Sequence, residues 1–235
     1  MRKHQLTDIT WREVRYQRPF ELESIWETLV HLAAATPRGA IVWEVRGCKG
    51  KVTYLLGADK IYINNIMGVF LAHGDIQFRE IPDQARQMAV TARTLKISHP
   101  SLSLNTDITD AAVRAGLAAL AQDKSGRTTI IQVVLGRSCA PSSVPAEFPD
   151  PAANWLDVIM GNVSKATTET RRTVREKAEQ YSFQTAIRIG VSKSGGFMQL
   201  RNIVSALRVL GSVHIRASTI SAKKTKAKKM TSSLS

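Results

Sequence analysis

The sequence predicts an α/β fold built from two related halves with mostly antiparallel sheets. Three observations predict it. The first is a strand–helix–strand unit. Phe183, Thr185, Ile187, Ile189 and Val191 fall on alternate positions, as a half-buried strand requires. After Gly195 and Gly196, Leu200, Ile203, Val204, Leu207 and Leu210 follow at helical spacing, Gly211 ends the helix, and Val213 and Ile215 resume the alternation. The second is an earlier unit of the same order: a strand at Val52 to Leu56, a helix at Asp59 to His73, and a strand at Ile76 to Ile81. The third is the match between the joints. Gly74-Asp75-Ile76-Gln77-Phe78-Arg79 stands beside Gly211-Ser212-Val213-His214-Ile215-Arg216, with Ile76/Phe78 and Val213/Ile215 inward.

Taken in order, residues 1–19 are polar and basic, and Ile9, Trp11 and the run Glu13 to Tyr16 suggest an edge strand closed by Pro19. Phe20 to Ala35 forms an amphipathic helix with Leu22, Ile25, Trp26, Leu29, Val30 and Ala33 on one side, ended by Pro37-Arg38-Gly39. Ile41 to Arg46 and Lys51 to Leu56 make a hairpin across Gly47-Cys48-Lys49-Gly50. Met88 to Ile97 is strand-like. Thr106 or Asp107 then caps a helix running to about Gln122, with Ile108, Ala112, Val113, Leu117 and Leu120 inward. Thr128 to Leu135 is the most apolar strand, hence a central one. Residues 136–151 are rich in proline and serine and predict a loop, Trp155 to Gly161 a short apolar anchor, and Ser164 to Gln180 a polar helix.

The second half thus reads strand-helix-strand, a separate basic helix, then strand-helix-strand. Such a split βαβ pair folds as a ferredoxin-like sandwich with an antiparallel sheet, and the first half is an incomplete version of it led by its own helix. The expected domains are residues 1–85, residues 86–217, and a disordered lysine-rich tail over 218–235.

Composition narrows the function. The net charge is +14; five of those charges sit on Lys223, Lys224, Lys226, Lys228 and Lys229, and the remaining +9 belongs to residues 1–217. That excess favours an anionic partner: nucleic acid, anionic lipid or acidic protein. Aromatics make up only 6%, which disfavours a base-stacking platform. Cys48 and Cys139 have no partner at metal-ligand spacing, and the five histidines show no paired spacing, so no metal or cofactor is expected. No apolar run approaches a membrane span, and the start of the chain lacks a signal peptide's apolar core, so a cytoplasmic protein is expected.

Two motifs approach chemistry and miss. Gly190 to Gly196 lies between a strand and a helix, but Gly196 and Phe197 occupy the places where a P-loop needs Lys and Ser/Thr. Gly136-Arg137-Ser138-Cys139-Ala140 lacks the second glycine and the immediate helix of a nucleophile elbow. The anion-binding candidates are Arg171, Arg172 and Arg175 on the polar helix, offset by Glu169, Glu176 and Glu179, together with Lys223, Lys224, Lys226, Lys228 and Lys229, which no acid offsets.

Several stretches carry a family likeness. They are Arg18-Pro19-Phe20 with Pro37 to Val45; Val52 to Gly57 with Gly74 to Phe78; Val133 to Arg137 with Ala140-Pro141 and Val144-Pro145; and Arg171-Arg172 through Lys177-Ala178-Glu179 to Phe183 and Ile187 to Val191. Together, over most of residues 11–217, the chain resembles the N-terminal, pre-motor region of Gram-positive conjugative DNA-transfer ATPases, the coupling-protein class of type IV secretion. The resemblance implies a non-catalytic accessory domain that docks proteins of the secretion and conjugation machinery, or DNA, with an anionic membrane surface as a further partner at the inner face of the cell membrane. In that family a P-loop motor follows this region. This chain carries no P-loop, so no enzymatic activity is implied and no catalytic residue carries over. The alternative is a stand-alone, sequence-nonspecific nucleic-acid-binding protein using the basic helix and the tail.

Overall fold

In a computed structural model the described residues are 9–17, 22–35, 39–82, 86–96, 109–122, 126–151, 153, 155–161, 163–208 and 216–221. Eight strands form one sheet: β1 (Ile9–Tyr16), β2 (Ile41–Cys48), β3 (Lys51–Asp59), β4 (Ile76–Glu80), β5 (Thr91–Lys96), β6 (Thr129–Cys139), β7 (Ser182–Val191) and β8 (Arg216–Ser221). The helices are α1 (Leu22–Ala34), α2 (Ile63–His73), α3 (Thr109–Ala121), α4 (Trp155–Ile159), α5 (Thr168–Ala178) and α6 (Phe197–Arg208). The strand order is β4-β1-β3-β2-β6-β7-β5-β8, and every neighbouring pair is antiparallel. The protein is therefore a mixed α/β fold on an antiparallel sheet. Numbered one to four within each set of four strands, the order reads 4-1-3-2 and then 2-3-1-4, a mirror about the β2–β6 contact.

That contact fixes where the helices lie. Directly opposed residues of antiparallel strands share a face, and Ile41, Trp43 and Val45 oppose Leu135, Val133 and Ile131. Ile41, Trp43 and Leu135 belong to a core with Val14, Leu32, Leu56 and Ile66, whereas Val45 and Ile131 pack against Leu120, Ile189, Leu200 and Ile203. Both cores thus sit on the same face. There α1 packs on α2 and α3 on α6, and α3 also reaches β2 while α1 reaches β6 and β7. Gly47 permits the closest of these approaches: a Cβ there would stand 2.2 Å from the Leu120 carbonyl oxygen of α3. Only a residue without a side chain lets α3 settle across β2.

The opposite face carries no helix among the described residues. Instead the connection between β4 and β5 crosses it. Arg86 stacks on the Trp11 ring at 3.8 Å, the Gln87 carbonyl accepts from Arg46 Nη2, and Ala89 lies over Gly190, where a Cβ would meet it at 2.8 Å. Beneath this strap Glu44 is fully buried. Its carboxylate accepts from Arg86 Nε (3.2 Å) and Nη2 (2.7 Å) and from Gln132 Nε2 (2.8 Å), and Arg46 Nη1 stands 3.1 Å away. Burial lowers the Arg46 pKa and the Glu44 charge opposes that shift.

Several expectations need correction. β1 is an inner strand, paired with both β3 and β4, not an edge; Pro19, expected to close it, lies outside the described residues. α2 starts at Ile63 because Asp59 ends β3 and its carboxylate caps the intervening turn, accepting from the Ile61 N–H at 2.9 Å. On α1 the buried residues are Thr28, Leu32 and Ala33, while Ile25 and Trp26 are exposed; the helix is rotated so that Thr28, bonded to the Ser24 carbonyl at 2.6 Å, faces in. Val113 and Thr185 are exposed, not inward. β6 runs on to Cys139, so no elbow forms at Ser138. Gly74 is extended (φ −166°), a backbone any residue adopts, so glycine is not required there. Ile76 and Phe78 do face the first core. Thr106, Asp107, Ile108, Leu210, Gly211, Val213, Ile215 and residues 222–235 lie outside the described residues, whereas residues 218–221, expected in the disordered tail, belong to β8 and pair with β5.

Candidate functional site

Between β6 and β7 the chain leaves the sheet. The two strands stay paired to Ser138–Phe183 and Cys139–Ser182, past an irregularity after Leu135, and residues 140–181 then form an arm. The arm ties to itself. The Ser142 N–H donates to the Ala178 carbonyl (2.8 Å), Asp150 N to Ser164 O (3.0 Å) and Ala166 N to Phe148 O (3.0 Å), and Pro149 bridges Lys165. Thr167 caps α5, its hydroxyl accepting from the Thr170 N–H at 3.2 Å. No α5 residue is buried.

All three predicted arginines lie on α5. Arg172 pairs with Glu169 (2.8 Å) and Glu176 (3.7 Å) on the exposed surface. The Arg172 hydrogen bond, and then its charge, holds the Glu169 carboxyl below the usual range, and the same contacts raise Arg172. Arg171 is turned back onto the arm, donating to the Ala146 carbonyl (3.3 Å) and to the Thr168 hydroxyl (3.4 Å). Arg175 is exposed and pairs with no carboxylate among the described residues. Lys177 lies on the same helix, its pKa lowered by burial. Over residues 140–181 five basic residues face six acidic ones, so the arm holds no cationic excess. The structure thus places Arg171, Arg172 and Arg175 on one helix, but of the three only Arg172 meets the compensating acids, Glu169 and Glu176. Lys223, Lys224, Lys226, Lys228 and Lys229 lie outside the described residues.

What the arm does present is apolar. Leu156, Val158, Ile159 and Met160 at α4 are between 55% and 72% exposed, where the sequence predicted a buried anchor. A helix of five residues, α4, carries this cluster. The four residues are close in sequence and form an exposed apolar group on the arm.

The cationic excess lies elsewhere, and one sequence signal marks it. From Gln180 to Ser235 there is no acidic residue. Arg188, Lys193, Arg201 and Arg208 belong to β7, α6 and the loop between them. That loop is a plain strand-to-helix turn: Ser192 exchanges bonds with Thr128 through its N–H and its hydroxyl (both 2.9 Å), and Gly195 takes φ +80°. Among the described residues no group of three or more His, Cys, Asp or Glu side chains could hold a metal ion, and no helix is long and apolar enough to cross a membrane. The fold does bring together two histidines that sequence spacing separates, His31 Nδ1 and His73 Nε2 at 3.4 Å, joining α1 to α2. Compared with family models, curated proteins and solved structures, the chain has no match in any of the three.

Proposed function

We propose that the chain is a non-catalytic docking platform, of the kind that precedes the motor in the conjugative DNA-transfer ATPases of type IV secretion it resembles. Its frame is two ferredoxin-like split-βαβ halves, residues 1–85 and 86–217, joined edge to edge through β2 and β6. The mirrored strand order and the separate helix pairs on one sheet face support that division. The observation that carries the function is the arm, which offers exposed Leu156, Val158, Ile159 and Met160 on a charge-balanced support. Apolar side chains with balanced charges suit a protein partner better than a polyphosphate, which rewards uncompensated cations. The partner proposed is a protein of the secretion or conjugation machinery.

The test uses the full chain and a coupling-class ATPase motor lacking its own pre-motor region, mixed and followed by analytical ultracentrifugation. A complex that Ile159→Asp with Met160→Asp abolishes, while the chain's melting temperature is kept, supports the reading. A complex indifferent to these changes, or no complex, sinks it.

A second reading has its own support. The acid-free stretch from Gln180 onward supplies Arg188, Lys193, Arg201 and Arg208 with no acidic residue in the stretch itself. In that reading the chain is a sequence-nonspecific nucleic-acid-binding protein. Duplex-DNA retention that falls steeply with salt, and that survives loss of the arm's apolar residues, would favour it.

A further inference from the structure

At the end of the sheet where β7 stops at Val191, four connections meet. The β4–β5 strap arrives there: the Val90 N–H donates to the Val191 carbonyl at 2.8 Å. On the helix side, Gly196 packs on the Val191 side chain, and α6 begins at once with Phe197 and Met198. The α3–β6 connection brings Arg127, whose Nη1 stands 3.4 Å from where a Gly195 Cβ would be. The β2–β3 turn brings Lys49, its Cε 3.3 Å from the corresponding point on Gly126. Lys193 projects from the β7–α6 loop and is exposed.

This end is apolar and cationic together. Val90, Phe197 and Met198 are 55–58% exposed although none is a turn-former, and the Phe197 ring is overlain by the Arg93 guanidinium at 4.9 Å. The described acids of the β5–β8 part of the chain are elsewhere. Asp110 stands at the far end of α3, whose C-terminal turn is the one against Gly47, and the rest are on the arm. Asp123 and Lys124, of opposite charge, lie outside the described residues. Exposed Phe197 and Met198 beside the cationic side chains of this end match the chemistry of a bilayer surface, where apolar tips enter between headgroups and cations meet anionic lipid. A polyphosphate would use the cations and leave the apolar side chains without a role.

We propose that this end of the sheet is a peripheral membrane-binding surface for anionic lipid, with Phe197 and Met198 as the inserted side chains and Lys49 and Lys193 as the headgroup contacts. It is separate from the arm, so the docking reading can fail without it. The surface orients the platform on the membrane, with the hairpin end of the sheet facing the bilayer.

The experiment is sedimentation of the full chain with vesicles of phosphatidylglycerol in phosphatidylcholine, and with phosphatidylcholine alone. Binding to the mixed vesicles only is expected. Phe197→Ser with Met198→Ser should weaken the partition by roughly tenfold or more, since each apolar side chain withdrawn from water contributes about that factor. Lys193→Glu with Lys49→Glu, both exposed, should weaken it by roughly fivefold or more per charge removed, and supplies the test should the serine variant melt early. Three results overturn the proposal. The wild-type chain stays in the supernatant; both variants fold and sediment as wild type, with only deletion of residues 222–235 releasing the protein, so that the tail alone binds; or the serine changes abolish duplex-DNA retention and leave vesicle binding intact.

Discussion

The buried carboxylate of Glu44 offers the sharpest test of how the sheet is held together. Glu44 comes from β2, Gln132 from β6 and Arg86 from the strap, so one side chain joins three parts of the chain. The carboxylate has no exposure and two guanidiniums against it, with Arg46 and Arg86 side chains only 9% and 17% exposed. The cluster therefore carries one net positive charge inside the protein, and Glu44→Gln raises that to two. Surface ion pairs contribute little because water screens them. Here the partners cannot be resolvated without lifting the strap off Trp11. Removing one member of a buried pair costs about 3–5 kcal/mol, mostly as the penalty on the charges left behind. For a chain of this size each kcal/mol lowers the melting temperature by about 2–4 °C, so a drop of roughly 6–20 °C is expected at neutral pH. The same change should open the segment between β4 and β5 to protease, since Arg86 loses its anchor. Exchanging Glu44→Leu, Arg46→Met and Arg86→Met together should recover much of the loss, because apolar replacement of a whole buried cluster is often neutral. A loss below about 1 kcal/mol for Glu44→Gln, or a triple variant no better than the single, would refute the reasoning.

Other outcomes follow from single contacts. Gly47→Ala must push the Leu120 carbonyl away from a Cβ 2.2 Å off, and should cost at least about 2 kcal/mol by denaturant unfolding; a neutral result would mean that α3 does not cross β2 there. Phe78→Ala, which empties the ring packed on Phe70 at 6.4 Å, should cost about 2–4 kcal/mol in the same assay. Burial, and then the neighbouring Tyr54, raises Tyr16 above the ordinary phenol value, and burial raises Tyr54; the 37% exposure of Tyr16 keeps its effect below that of full burial. Stability from these phenols is complete below about pH 10 and is lost as pH rises beyond it, so absorbance at 295 nm should lag behind the unfolded chain's titration, and less so in Tyr16→Phe. Finally, Arg171→Ala with Arg172→Ala and Arg175→Ala should leave the salt slope of duplex-DNA retention within about one unit of wild type, because Glu169 and Glu176 already neutralise Arg172 and Arg171 is turned onto the arm.

Much of the fold was legible because alternation and helical spacing report burial directly. Ile187, Ile189 and Val191 on β7 and Leu200, Ile203 and Val204 on α6 are all in the second core as their spacing predicts. Legibility fell where tertiary contacts decide. The apolar stripe on α1 pointed to Ile25 and Trp26, yet Thr28 is buried because its hydroxyl is satisfied within the helix, which removes the usual penalty on a polar group. The joining of β2 to β6 could not be read at all. The apolarity of Thr128 to Leu135 marked β6 as central, as it is, but named no neighbour for it; only Gly47 under α3 and Glu44 under the strap commit β2 and β6 to one another, through residues that hydropathy counts as neutral or outward.

The candidate sites show the same division between composition and geometry. A run such as Arg171-Arg172 attracts notice because it is dense, whereas the stretch after Glu179 is distinguished by what it lacks, and an absence of acids makes no motif. Density is the weaker guide physically. Potential at a surface depends on the sum of nearby charges, so a helix with three arginines and alternating glutamates presents less field than scattered cations without opposition. Exposed apolar residues obey a similar logic. Leu156, Val158 and Ile159 looked like an anchor because apolar runs of that length are ordinarily buried, and nothing in the spacing marked Phe197 and Met198 as exposed. Their placement in solvent, one group on an arm of balanced charge and the other beside Lys193 and Arg127, separates two surfaces by the partner each can satisfy. A protein partner can cover the first without meeting a net charge, and an anionic bilayer can satisfy the second in both its apolar and its cationic parts.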